Sequence, residues 1–343
     1  MKVDLSTFPK TLPDVRKIEG DVFTIWTPLK DFFLSNGLKL WVQSGTSYVR
    51  PPDGRPRTPD GFVYRYSCDD DEPSEFRQIT PMIHPARTTD GRDVIIRLVS
   101  IGDSGANHRE ALQRLATGNV ASVIGNHCVP VLQWIVLEDI HFAVQPLLSY
   151  IDQSTLYCYE NVQDLINTIH QMLEALQFCH ERLVAHMDIF SGNWLSNFHT
   201  SGKEATDFYE PLAEGARRKP FRSLFPFKIY LNDLECAVCF DTDSDPSSRV
   251  FSRPPIPNYG RTIPREMRSG LPYDPFPVDI WQLAGLIEQV PGFEHLPDAL
   301  VEFVGRMRRE CVEDRPSAKE AIAQLQALRL NLSAEELQAP VEW

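Results

Sequence analysis

His186-Met187-Asp188-Ile189-Phe190-Ser191-Gly192-Asn193 follows directly on a long amphipathic run and is the most informative stretch of the chain. Its Asp and Asn stand five apart, with a His two before the Asp. Forty residues further on, Tyr230-Leu231-Asn232-Asp233-Leu234-Glu235 reads as an apolar strand that delivers a second carboxylate. A carboxylate–amide pair plus a distant Asp suits Mg²⁺ and phosphate chemistry. Mg²⁺ takes a few hard oxygen ligands and keeps its waters.

Upstream of this stretch, Val162, Leu165, Ile166, Ile169, Met172, Leu173, Leu176 and Cys179 recur in steps of three and four. That spacing predicts a long amphipathic helix. Downstream, Val278 to Val290 is apolar nearly all round and reads as a buried central helix. Ser317-Ala318-Lys319-Glu320 is a capping box that opens a final helix with Ala321, Ile322, Leu325 and Leu328 inward. Residues 76 to 146 are strand-rich. Phe76 to Ile83 and Val94 to Val99 are β-branched runs separated by the turn Thr89-Asp90-Gly91. Asn107 to Ala116 reads as a short helix, and Val129 to Leu137 and His141 to Leu147 as two strands joined at Glu138-Asp139. A small sheet domain followed by a helical one is an α+β arrangement with a cleft between lobes.

Residues 1 to 75 form an accessory region. Leu29 to Val42 reads as a short helix, a Gly37 stop and an apolar strand, and a loop follows at Pro51-Pro52-Asp53-Gly54-Arg55-Pro56. Asp69-Asp70-Asp71-Glu72 is a solvated acidic loop.

The 343 residues carry a net charge of −13, with 42% apolar and 24% charged residues. That is the composition of a globular chain with a sizeable core, and it excludes a collagen, a coiled coil or a mostly disordered protein. A chain this acidic lacks the basic face that nucleic-acid binding needs, so no nucleic acid is expected. Proline, at 27 residues, exceeds the usual share of about 5%, which points to long ordered loops. The N-terminus shows no apolar signal-peptide core, and Glu138, Asp139 and His141 interrupt the most apolar stretch. No membrane is expected, and the location is read as cytoplasmic or nuclear. Seven scattered cysteines suit a reducing compartment and mostly buried free thiols. Cys236-Ala-Val-Cys239 has no second CxxC or His pair near it to complete a zinc site.

The stretch 186–193 resembles the catalytic loop of a protein kinase, H-R-D-x-x-x-x-N, at His, Asp and Asn. Asp233-Leu234-Glu235 then stands in place of D-F-G, and Ile263-Pro264-Arg265-Glu266 falls where A-P-E would fall. Asp279-Ile280-Trp281-Gln282-Leu283 resembles D-x-W-S-L, and Arg315-Pro316-Ser317-Ala318 resembles R-P-T-A. Five motifs in order cover about residues 76 to 330. Asn126-His127-Cys128-Val129-Pro130-Val131-Leu132, Pro272 to Ile280 and Asp31 to Leu38 are similar to stretches of the divergent protein-kinase-domain family of mushroom-forming (basidiomycete) fungi.

The resemblance implies a two-lobed kinase-like fold: a small β-rich N-lobe at 76–146 and a larger helical C-lobe at 147–330, with a tail at 331–343. It implies ATP and Mg²⁺ as cofactors, and a protein substrate or partner. Asp188 would be the base for a substrate Ser/Thr hydroxyl. Asn193 and Asp233 would hold Mg²⁺. Arg97, in Val94-Ile95-Ile96-Arg97, stands where a lysine would reach the nucleotide phosphates and pair with a helix glutamate, here Glu110. Asp279 would bond the backbone of the catalytic loop, and Glu266 would pair with Arg315.

Four departures define the competing reading. Arg97 replaces the lysine, and its planar fork is not a compact ammonium. No glycine-rich loop precedes it: Phe76 to Asp93 holds only Gly91. Glu235 replaces the D-F-G glycine, and Met187 replaces the loop arginine. A pseudokinase, binding or scaffolding with little or no catalysis, is the alternative. A small-molecule phosphotransferase of related fold is a third reading. Between Asn193 and Asp233, residues 200–222 form an exposed loop or a partner-docking insert, with Glu210 and Glu214 ahead of Arg217-Arg218-Lys219.

Overall fold

The structure is a computed structural model that describes residues 3–18, 23–51, 61–63, 75–77, 80–150, 159–197, 226–252, 254 and 259–341. The acidic run at 69–72, Cys68, Cys158 and the 200–222 segment lie outside the described residues. The chain is mixed α+β and divides into two compact units. The first takes its described residues from Met1–Arg109, Val129–Ser149 and Asn197–Arg217, and the second from Glu110–Cys128, Tyr150–Ser196 and Arg218–Trp343.

The first unit opens with two short helices, α1 (Leu12–Arg16) and α2 (Lys30–Ser35), the second after a 3-10 turn at Thr24–Leu29. Gly37, at φ 82°, ends α2 in a backbone conformation that other residues adopt only under strain. Strand β1 (Leu38–Leu40) follows. A small antiparallel ladder joins β2 (Val42–Ser44), β3 (Ser47–Val49) and β4 (Glu75–Arg77). The main sheet contains β5 (Ile83–Thr88), β6 (Asp93–Ile101), β7 (Gln133–Leu137) and β8 (Ile140–Pro146). Its order is β1-β5-β6-β8-β7, antiparallel throughout.

The turns fall where the sequence puts them. Thr88 and Arg92 close the β5–β6 hairpin over Asp90-Gly91, and Glu138 takes φ 54° between β7 and β8. One strand differs from its expectation. Phe76 to Ile83 is not continuous: Phe76 belongs to β4, while Ile83 opens β5. Pro81 lies between them, and its carbonyl accepts the Trp26 indole N–H at 3.0 Å.

Apolar residues from both ends of this unit share one core. Phe8, Leu12, Val15, Trp26, Leu29 and Phe33 are buried with Ile96, Leu98, Phe142 and Val144 of the sheet. Phe33 meets Phe142 edge to face at 5.1 Å, and Trp26 stacks obliquely on both. The N-terminal region therefore supplies a strand and a floor to the sheet.

Helix α3 (Ala106–Ala116) begins in the first unit and ends in the second, with Ala111, Leu112 and Leu115 buried as its spacing implies. The second unit is built on α4 (Val162–Glu181), capped by Asn161, whose side chain accepts from Asp164 N at 2.9 Å. After it come the short strands β9 (Val184–Ala185), β10 (Trp194–Ser196), β11 (Ile229–Leu231) and β12 (Val238–Cys239). β9 pairs with β12 and β10 with β11, both antiparallel. Helices α5 (Arg265–Arg268), α6 (Phe276–Ile287), α7 (Asp298–Met307), α8 (Ala318–Asn331) and α9 (Ala334–Gln338) complete it. α6 is buried nearly all round, and α8 opens on the Ser317–Glu320 capping box. No helix of the described residues is long and apolar enough to cross a membrane.

Candidate functional site

The 186–193 segment is irregular backbone inside a packed unit, so its N–H groups need acceptors from elsewhere. Helix α6 supplies them. Asp279, fully buried in its first turn, accepts from His186 N at 2.8 Å through Oδ2 and from Met187 N at 2.7 Å through Oδ1. Its Oδ2 also accepts from His180 Nε2 at 2.9 Å. Three donors on one carboxylate offset the desolvation that burial imposes on it. Gln282, on the same helix face, accepts from Ile189 N at 3.0 Å. Its amide donates to Tyr259 Oη, which donates to the Met187 carbonyl. Burial raises the Tyr259 phenol well above its ordinary range. The role expected of Asp279 is thus present, and Gln282 and Tyr259 extend it.

His186 joins this loop to the next element. Its Nε2 donates to Asn232 O at 2.8 Å, and its Nδ1 accepts from Asp188 N at 3.3 Å. Asn193 ties the far end back. Its Nδ2 donates to Asp188 O at 2.8 Å and to Asp188 Oδ2 at 3.0 Å. With that amide spent, the Asn193 Oδ1 is the part of its side chain left for a ligand.

Asp188 and Asn193 are therefore brought together, as their spacing implies. Asp233 is placed by strand register. Trp194 pairs with Leu231, and Asn232 N donates to Asn193 O at 2.9 Å, so Asp233 lies one residue past that bond. Its backbone is left-handed, at φ 63° and ψ 65°. Four non-glycine residues among those described have positive φ, and two of them (Met187 and Asp233) lie on the segments that build this site. Strained backbone persists only where surrounding structure over-determines it. Here Asp279 and Tyr259 grip Met187 by its N–H and its carbonyl.

Arg97 is buried on β6, where it pairs across the sheet with Ile83 and Ala143. It belongs to the first unit. Glu110 belongs to the second, where it forms an ion pair with Arg114 one turn along α3. Arg114 also donates to Arg182 O at 3.2 Å and Phe240 O at 2.6 Å.

Arg261 is a site residue without a sequence signal. Its Nε donates to Asp188 Oδ1 at 2.9 Å, and its guanidinium lies 3.4 Å from the centroid of the Phe190 ring. Seventy-three residues separate Arg261 from Asp188, and no periodicity links them. Gln282 had a signal, since it stands three after Asp279 on one helix face.

Supporting contacts surround the loop. Glu266 and Arg315 pair through two bonds, at 2.6 and 3.0 Å, as the resemblance implies. Arg315 also donates to the carbonyls of Arg309, Pro277 and Glu310. His127 bonds the Ile229 carbonyl through Nδ1 and Glu174 through Nε2. Hydrogen bonds from His127 and His170 hold the Glu174 carboxyl down at about 2.

The CxxC pair behaves as ordinary core. Cys236 is buried, and burial pushes the Cys239 thiol up to about 12. Among the described residues, no group of three or more His, Cys, Asp or Glu is arranged to hold a metal ion. Asn193 Oδ1 and the Asp233 carboxyl are hard oxygens of the kind Mg²⁺ takes, and a shell built on them would need further ligands from a phosphate and water. No protein-family model matches this sequence, and no curated protein matches it.

Proposed function

We propose that the chain is a divergent protein-kinase-like phosphotransferase of two-lobed architecture, acting on a Ser/Thr hydroxyl of a protein with ATP and Mg²⁺. The observation that carries this reading is the Asp188–Asn193 pair. It is fixed from behind by Asp279 and Gln282 and joined by register to the left-handed Asp233. In this reading the substrate hydroxyl oxygen attacks the terminal phosphorus of ATP. The bond from that phosphorus to the bridging oxygen breaks, ADP leaves, and the hydroxyl proton passes to Asp188. Asn193 Oδ1 and Asp233 would hold Mg²⁺, which neutralises phosphate charge. Glu110, which the resemblance makes the helix partner of Arg97, forms its ion pair with Arg114.

A second reading rests on a specific observation. Both Asp188 oxygens already accept hydrogen bonds, one from Asn193 and one from Arg261. With Glu235 beside Asp233, that arrangement suits a pseudokinase that binds nucleotide or a protein without turnover.

The test is nucleotide binding by the purified chain with and without Mg²⁺, followed by phosphate transfer to a mixed protein substrate. The enzyme reading expects Mg²⁺-dependent binding that Asp233→Asn weakens, and transfer that Asp188→Asn abolishes. Binding without transfer supports the pseudokinase. Binding indifferent to EDTA and to both substitutions would refute the site.

A further inference from the structure

Most well-placed arginines in this protein spend their guanidinium on the protein itself. Arg315 uses three nitrogens on a carboxylate and three carbonyls, and Arg308 uses two on Trp281 O and Glu288. Arg261 spends one. Its Nε donates to Asp188 Oδ1 at 2.9 Å, and both Nη groups donate to no protein acceptor among the described residues. The side chain is 38% exposed, against 14% for Asp188.

The group is nonetheless held in place. A guanidinium is planar, so a bond at Nε and a ring face 3.4 Å from Cζ together fix the plane of the fork. The Nη–Nη edge then lies on the far end of the group from the Nε bond to Asp188, with one N–H of each nitrogen directed outward in a fixed fork. Such an edge matches two oxygens of a tetrahedral oxyanion. Pre-orientation lowers the ordering cost of binding one. The Asp188 carboxylate opposes an anion here in part, and the Arg261 charge beside it offsets that repulsion.

We propose that Arg261 is an oxyanion-binding residue of the Asp188 site, its Nη edge taking two oxygens of a phosphoryl group. The choice of a phosphoryl group rests on the phosphotransfer reading above; the open fork does not. Two sources share this chemistry: the terminal phosphate of a nucleotide, and a phosphate already carried by the acceptor.

The experiment is calorimetric titration of the full chain with inorganic phosphate, in wild type, Arg261→Gln, Arg261→Lys and Arg265→Gln. Arg265 is an exposed neighbour whose loss changes net charge equally. Saturable binding in wild type is expected. It should weaken by about ten-fold or more in Arg261→Gln and less in Arg261→Lys, which keeps the charge but not the fork. Arg265→Gln should stay within about two-fold of wild type. Thermal scans of each variant check that the fold is unchanged.

Mg·ATP and Mg·ADP titrations of the same variants identify the source. A loss confined to ATP assigns the nucleotide's terminal phosphate. Unchanged affinity for both nucleotides, alongside lost phosphate binding, assigns a phosphate on the acceptor. Absence of phosphate binding in wild type, or equal loss in Arg261→Gln and Arg265→Gln, overturns the proposal. Failure of wild type to bind either nucleotide counts against the kinase reading, and the phosphate arm still decides Arg261.

Discussion

In the first unit a buried histidine is packed among rings. In the second a buried aspartate is surrounded by donors. His84 lies 4.0 Å from the Tyr48 ring and 5.2 Å from Trp26, and its Nδ1 meets the Pro85 carbonyl at 2.7 Å. Burial lowers its pKa from 6.5 to about 4. Asp279 is buried as deeply, yet it receives three hydrogen bonds. The first unit keeps His84 neutral while burying Arg87 against Asp93, and the second builds a loop around the Asp279 carboxylate. The difference lies in what the buried carboxylate serves: Asp279 accepts from the N–H groups of an irregular loop, which needs buried acceptors to hold it.

The largest expected effect tests the second unit. Asp279→Ala removes the acceptor of two loop N–H groups and His180, and should cost about 3–5 kcal/mol. Asp279→Asn, which keeps an acceptor oxygen, should cost less. Denaturant unfolding followed by near-UV signals of the second unit is the measurement. A loss under about 1 kcal/mol would mean that something other than α6 holds the loop.

The next effect belongs to the first unit and depends on pH. His84 has a folded pKa below its unfolded value, so folding favours the neutral ring. Its contribution is complete above about pH 6.5 and is lost as pH falls toward 4, by an amount on the order of 3 kcal/mol. His84→Leu should flatten the stability profile between those values. A profile with the same slope in the variant would place the titration elsewhere.

Gln282→Ala sharpens the account of the loop without removing a charge. It leaves Ile189 N unpaired and frees Tyr259, so a loss of about 1–2 kcal/mol is expected, with a smaller change in Tm than Asp279→Ala gives. The smallest effect is at Glu174, a depressed carboxyl that is partly exposed. Its contribution is present above its ordinary value near 4.5 and disappears as pH falls through about 2. Solvent screening keeps it below about 1 kcal/mol. Glu174→Gln should leave stability at pH 7 nearly unchanged and move only the acid limb of the curve. The two units would thus lose their pH-linked stability in different windows.

The sequence makes local structure easy to read where a pattern repeats over many residues. The three- and four-residue steps of Val162 to Cys179 give α4, and Ser317-x-x-Glu320 gives the start of α8. It says less where pairing is distant. Leu38 to Leu40 is legible as a strand, but its position beside β5 depends on topology and not on its own residues. Phe76 to Ile83 reads as one strand on Phe76, Ile79, Thr80 and Ile83, whereas Phe76 belongs to β4, Ile83 opens β5 and Pro81 lies between them. In the candidate site, Asp188 and Asn193 share a loop and their spacing reveals them. Arg261 reaches Asp188 through tertiary folding alone. Only side-chain geometry could show that its Nε and its ring contact leave the fork open.

Strand β1 has a consequence for the order of synthesis. Its partner β5 is made later: Leu38 pairs with Thr88, and Leu40 with Ala86. An unpaired sheet edge is a template for another chain. Here the segment that covers the edge has left the ribosome before the edge exists. Joining them closes a loop whose entropic cost grows only logarithmically with its length. The β5 side of the sheet is shielded as soon as it forms. At the opposite edge lies β7, where Val136 is 52% exposed, and no strand among the described residues covers it.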